Sequence, residues 1–140
     1  MMPSDDPRPP KRETYDLLGG PIAPPALPGR VVVGESDYEA VDLAASDLVA
    51  QAMNCVREFG DFHLALSGGR TPQPLYERLM YDPDFRAVPW QRTHLWIVDE
   101  RCVPWDDPRS NFGMIHDTIV QHADLPPEQV HPMPVLLDGG

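Results

Sequence analysis

Two apolar runs that end in small or charged residues, each with a helix signal following, constrain this chain more than any other feature. Leu64-Ala65-Leu66 leads into Ser67-Gly68-Gly69-Arg70-Thr71-Pro72, and Leu95-Trp96-Ile97-Val98 leads into Asp99-Glu100-Arg101, with Ser110-Asn111 close behind. Short, nearly continuous apolar runs separated by helical patterns are the signature of a parallel sheet. Such a sheet binds its ligands where strands end and helices begin, so both phrases are placed as candidate contacts.

The rest of the chain supplies the helices. From Ser36 the apolar residues Val41, Ala44, Ala45, Leu48, Ala52, Met53, Val56 and Phe59 recur at helical spacing. Ser36 with Glu39 three residues on is a capping signal, and Gly60 is a stop. Val31-Val32-Val33 predicts a first short strand, Phe62 to Leu66 a second and His94 to Val98 a third, with Val130 opening at most a brief fourth. His63, near a strand start, is expected to be a satisfied structural residue. A second helix is expected from Pro72 to about Met80, and a third from the Ser110 cap to about His122. The fold class is therefore α/β: a parallel sheet with helices on both faces, three-layered and Rossmann-like.

Eight of the 18 prolines precede Gly29, so residues 1–29 are expected to form a flexible tail ahead of the domain spanning 30–140. A formal charge of -11 argues against nucleic acid as a partner, because that binding draws its affinity from clustered Lys and Arg. No apolar stretch approaches the roughly 18 residues of a membrane span, and no secretory leader is evident, which points to the cytoplasm. Cys55 and Cys102 are expected to be reduced and inert. No His or Cys spacing suits a metal, and Ser67 lacks the Gly-x-Ser-x-Gly frame of a hydrolase nucleophile. Trp90, Trp96 and Trp105 are expected to pack rather than to form a stacking platform.

The two phrases suit a phosphate. Gly68 and Gly69 permit positive φ and close backbone approach, and Ser67 and Thr71 carry hydroxyl donors. The following helix adds a partial positive end. Arg101 can grip a phosphate through its fork, and the Asp99 carboxylate can orient or accept a proton. The competing reading makes the glycines a bare strand-to-helix turn, with Asp99 as a local cap and Arg101 paired to Asp106 or Asp107.

In these motifs the chain resembles the amino-terminal part of 6-phosphogluconolactonases, within the superfamily that also holds glucosamine-6-phosphate deaminases. Leu64 to Pro72 is similar to that family's Ser-Gly-Gly-x-Thr-Pro loop. Trp96 to Pro104 and Ser110-Asn111-Phe112-Gly113 are similar to its Asp-Glu-Arg-x-Val-Pro and Ser-Asn signatures. The resemblance implies cofactor-free hydrolysis of 6-phosphoglucono-1,5-lactone to 6-phosphogluconate in the oxidative pentose phosphate pathway. It implies that Ser67, Gly68, Gly69, Thr71 and Arg101 hold the substrate phosphate, with Arg70, Ser110 and Asn111 as further contacts, and that Asp99 lies at the reacting end. Deaminases usually carry Asp-Glu-Tyr where this chain has Asp99-Glu100-Arg101.

The family's histidine lies in a later Gly-x-Gly-x-Asp-Gly-His segment, which Asp138-Gly139-Gly140 resembles only superficially. The expectation is therefore a fragment carrying phosphate capture, inactive by itself. A non-catalytic sugar-phosphate-binding module is the alternative, and an aminosugar-phosphate isomerase or deaminase is a third reading. Downstream sequence carrying Asp-Gly-His separates the first two, and ammonia release from glucosamine 6-phosphate marks the third.

Overall fold

The computed structural model describes residues 26–136, so the proline-rich stretch lies outside the described residues up to position 25. The chain divides into two units, Met1–Val33 and Gly34–Gly140. In the first, the expected strand at Val31-Val32-Val33 does not form, and Val32 and Val33 stay 55% and 48% exposed. A β-branched triplet favours extension only where a neighbouring strand completes its ladder, and propensity alone does not supply one.

Among the described residues, every helix and strand belongs to the second unit. Helix α1, Asp37–Phe59, begins at Ser36, whose hydroxyl accepts the Glu39 N–H at 3.1 Å. The Glu39 carboxylate reaches back to the Glu35 N–H, one residue earlier than in a standard capping box. Gly60 closes the helix at φ 91°, donating its N–H to the Val56 carbonyl at 2.9 Å. Strand β1, Phe62–Leu66, then leads to helix α2, Gln73–Tyr81, and strand β2, Thr93–Ile97. Pro72 takes the position just before α2, with Pro74 inside the first turn. Helix α3, Asn111–Ile115, continues as a π-helical turn over His116–Val120, and strand β3, Val130–His131, completes the set. At that turn the Thr118 hydroxyl donates to the Met114 carbonyl at 2.8 Å, competing with the ordinary ladder.

The three strands run parallel in the order β1-β2-β3. Phe62 pairs with Thr93 and Leu66 with Ile97, while Leu95 and Trp96 pair with Val130 and His131. One sheet face carries the core, where Leu66, Leu95 and Ile97 pack with Tyr76, Phe112, Ile115 and Ile119. A second cluster joins Ala45 of α1 to Leu79 of α2, Phe85 and Val88. Ala45 offers no side chain beyond Cβ, which lets the two helices meet closely.

Alternation places His63, Ala65, His94, Trp96 and His131 on the other face, and it remains open among the described residues. Trp96 is 41% exposed and stacks on His131 at 3.9 Å, so it does form part of a stacked surface. His63 lies on His94 at 4.6 Å, and the His94 Nδ1 and His131 Nε2 atoms approach to 2.9 Å. The strands are thus buried on alternate residues rather than throughout, because every second position holds a side chain that tolerates water.

Candidate functional site

The parallel register carries both phrases to the same sheet edge. Beyond the last ladder pair, the Val98 N–H donates to the Leu66 carbonyl at 3.0 Å, so the backbones stay side by side up to the two turns. The first turn is fixed from below: the Tyr76 hydroxyl on α2 donates to the Ser67 carbonyl at 2.7 Å. Burial pushes the Tyr76 phenol above its ordinary value, which keeps the proton on that donor.

The two glycines are required for different reasons. Gly69 has φ 96°, and a Cβ there would meet nothing within 4 Å, so its constraint is conformational and the space above it is open. Gly68 is a matter of proximity. A Cβ there would fall 1.9 Å from Asn111 Oδ1 and 2.8 Å from Asn111 Cβ, so the glycine turn lies directly against the start of α3. Ser67, Arg70 and Thr71 are exposed around the turn.

The second phrase is organised by a residue that sequence reasoning left without a role. Glu100 points inward and gathers four donors. Its Oε1 accepts the N–H groups of Arg101 and Asn111, both at 2.7 Å, while Oε2 accepts the Phe112 N–H at 2.8 Å and the Ser110 hydroxyl at 3.0 Å. Burial alone would raise the Glu100 carboxyl, but these hydrogen bonds outweigh it and hold the group below the usual glutamate value. Ser110 also caps α3, accepting the Gly113 N–H at 3.0 Å. The Asn111 amide donates to the Asp99 carbonyl at 2.9 Å and to its carboxylate at 3.4 Å. Ser110 and Asn111 are 3% and 7% exposed, so both are framework groups beneath the surface that Asp99 and Arg101 present. The available signal for Glu100 was a helix cap ten residues later in need of acceptors, which spacing along the chain does not display.

The bland alternative for Arg101 is not what forms. Asp107 is taken by Arg109, whose guanidinium reaches it at 2.8 and 3.0 Å, and that fork lowers the Asp107 carboxyl to about 2. Among the described residues, Arg101 makes no ion pair. Not all candidates share one hollow. Arg70 and Thr71 line a cavity of about 1050 Å³ with Tyr38, Glu77 and Arg78, whereas Asp99 and Arg101 lie outside it. Contact between the two phrases runs instead through Gly68 and Asn111. Cys55 and Cys102 are not joined to each other, and Cys102 is exposed. No three His, Cys, Asp or Glu side chains among the described residues are arranged to hold a metal ion. No described helix is long and apolar enough to cross a membrane.

A parallel α/β sheet with a glycine turn and a charged loop at adjoining strand ends is the arrangement at which open α/β sheets bind their ligands. The family model for glucosamine-6-phosphate isomerases/6-phosphogluconolactonase matches residues 35–138, and the chain belongs to that family. It is 48% identical over 99 residues to the human GDH/6PGL endoplasmic bifunctional protein, covering 71% of this chain and 12% of that protein. It is 39% identical over 95 residues to a 6-phosphogluconolactonase of Synechocystis, covering 62% and 38%. The crystal structure of 6-phosphogluconolactonase from Thermotoga maritima aligns with a TM-score of 0.59 at 34% identity, over 66% of this chain and 40% of that one. The chain thus spans well under half the length of these relatives.

Proposed function

We propose that this chain is the phosphate-binding part of a 6-phosphogluconolactonase, which hydrolyses 6-phospho-D-glucono-1,5-lactone to 6-phosphogluconate in the oxidative pentose phosphate pathway. The observation that carries the reading is the junction of Gly68 with Asn111 and of Asn111 with Asp99, which ties the glycine turn to the Asp99-Glu100-Arg101 loop. In this reading the Gly68-Gly69 backbone and the Ser67 and Thr71 hydroxyls face the phosphate, with Arg101 supplying the forked cation and Arg70 a second positive charge. Ser110 and Asn111 support that surface from beneath.

The chemistry is water attack on the lactone carbonyl. The new carbon–oxygen bond forms as the bond to the ring oxygen breaks, the ring oxygen takes a proton, and a carboxylate and a hydroxyl result. Asp99 orients the water or the base that deprotonates it. The base is the histidine of the family's Gly-x-Gly-x-Asp-Gly-His segment. The second reading is a sugar-phosphate-binding module without chemistry, which keeps the same two loops. Location in the cytoplasm belongs to the proposal, alongside a human relative that is named an endoplasmic protein.

Assay of the full-length protein with the phosphorylated lactone tests the reading. Accelerated acid release with no ammonia from glucosamine 6-phosphate is the expected result. Tight sugar-phosphate binding without turnover selects the binding module, and ammonia release selects the deaminase.

A further inference from the structure

We propose that Glu100 is a positioning residue for this site, a half-buried clasp that sets Asp99 and Arg101 at once by fastening the backbone between them to the first turn of α3. The inference rests on the lactonase reading for its substrate. Its geometry is independent of that reading.

Each of the four hydrogen bonds has a definite effect. The bond from the Arg101 N–H bends the loop immediately at the residue whose guanidinium is presented outward. The bonds from the Asn111 and Phe112 N–H groups satisfy two donors that the start of α3 would otherwise leave unpaired, and so hold the helix against the loop. Asn111, located by Glu100 through its backbone, uses its side chain to hold Asp99 by carbonyl and carboxylate. The same Asn111 side chain abuts Gly68, so the position of the glycine turn depends on the clasp as well. The Ser110 hydroxyl closes the set. A carboxylate fits because all four partners are donors. An amide of the same size would turn an N–H₂ toward N–H groups, and a shorter aspartate would not span both the loop and the helix.

The test uses steady-state kinetics of the full-length protein on the phosphorylated lactone and on its unphosphorylated counterpart, well below the melting temperature. Glu100→Gln is expected to lower kcat/KM at least tenfold for the phosphorylated lactone, and to lower the preference for it over the unphosphorylated one at least fivefold. A double-mutant cycle separates positioning from stability: in an Arg101→Ala background, Glu100→Gln should change that preference far less than it does in the wild type. If Glu100→Gln does not accumulate as folded protein, Ser110→Ala removes only one of the four donors and should show the same non-additivity at smaller amplitude. A lowered melting temperature with unchanged kcat, KM and preference would reduce Glu100 to a helix cap and overturn the proposal. So would full additivity with Arg101→Ala. A wild-type protein without lactonase turnover overturns the functional reading together with this inference, whereas an active wild type with additive effects overturns the clasp alone.

Discussion

Arg101 and the two glycines show how differently single residues serve this site. Arg101 has its guanidinium exposed while its backbone is pinned by Glu100. Loss of a charge-assisted hydrogen bond typically costs about 1.5 to 3 kcal/mol. Arg101→Ala should accordingly raise the Michaelis constant for the phosphorylated lactone roughly 10- to 150-fold. Lysine should restore only part, because it lacks the planar fork. Unchanged kinetics would remove Arg101 from the site. At Gly69 the φ of 96° with open space above it predicts that Gly69→Val disfavours the native backbone and blocks ligand approach. Calorimetry should show phosphorylated ligands weakened far more than unphosphorylated ones, and equal weakening would contradict a phosphate role. Asp99→Asn keeps the shape of the side chain and removes its charge, so turnover should fall with binding retained. A pure rise in the Michaelis constant would make Asp99 a binding group instead. The two turns themselves were legible in the sequence, because each apolar run ends abruptly in small or charged residues. Glu100 was not, since its value comes from donors at positions 110 to 112 that only the folded loop brings together.

Among the elements, legibility tracked local signals. Helix α1 carries its own start at Ser36 and stop at Gly60, and both ends fall where those residues place them. Strand β2 begins at Thr93, one residue before the expected start at His94, because the ladder pairs Thr93 with Phe62. The π-helical turn after α3 depends on a side chain competing for a carbonyl, and Val31-Val32-Val33 lacked a ladder, so neither could be read from periodicity. The open sheet face was also hidden, since Trp96 reads as an ordinary core residue. That face has a pH consequence. Burial, together with the neighbouring His94 and His63 rings, lowers the His131 imidazole below its ordinary value. The unfolded chain therefore binds more protons in the interval below about pH 6.5, and stability must rise with pH there. The contribution is complete above the ordinary imidazole value and is lost as pH falls through the folded one. Melting temperatures measured from pH 7.5 down to 5 should decline, with a shallower decline in His131→Gln. Parallel slopes for the two proteins would show that the stack does not titrate as described. Glu100 acts in a separate, more acidic window, contributing stability above the ordinary glutamate value that is lost as pH falls through its lowered one.

For the whole molecule, the parallel α/β architecture followed from alternating apolar runs and amphipathic helices, and membership of the isomerase/lactonase family agrees with it. What binds to the chain is less directly written. The net charge of -11 gives an anion no general attraction, so the proposed capture is a local one, through Arg101, Arg70 and the glycine turn. The most direct test of the account is therefore a binding comparison by calorimetry on the full-length protein, with 6-phosphogluconate against gluconate. The account predicts clear binding of the phosphorylated acid, at least tenfold weaker binding of gluconate, and loss of most of that difference in Arg101→Ala. Equal affinity for the two acids, or a difference that survives Arg101→Ala intact, would contradict the assignment of phosphate capture to these two loops.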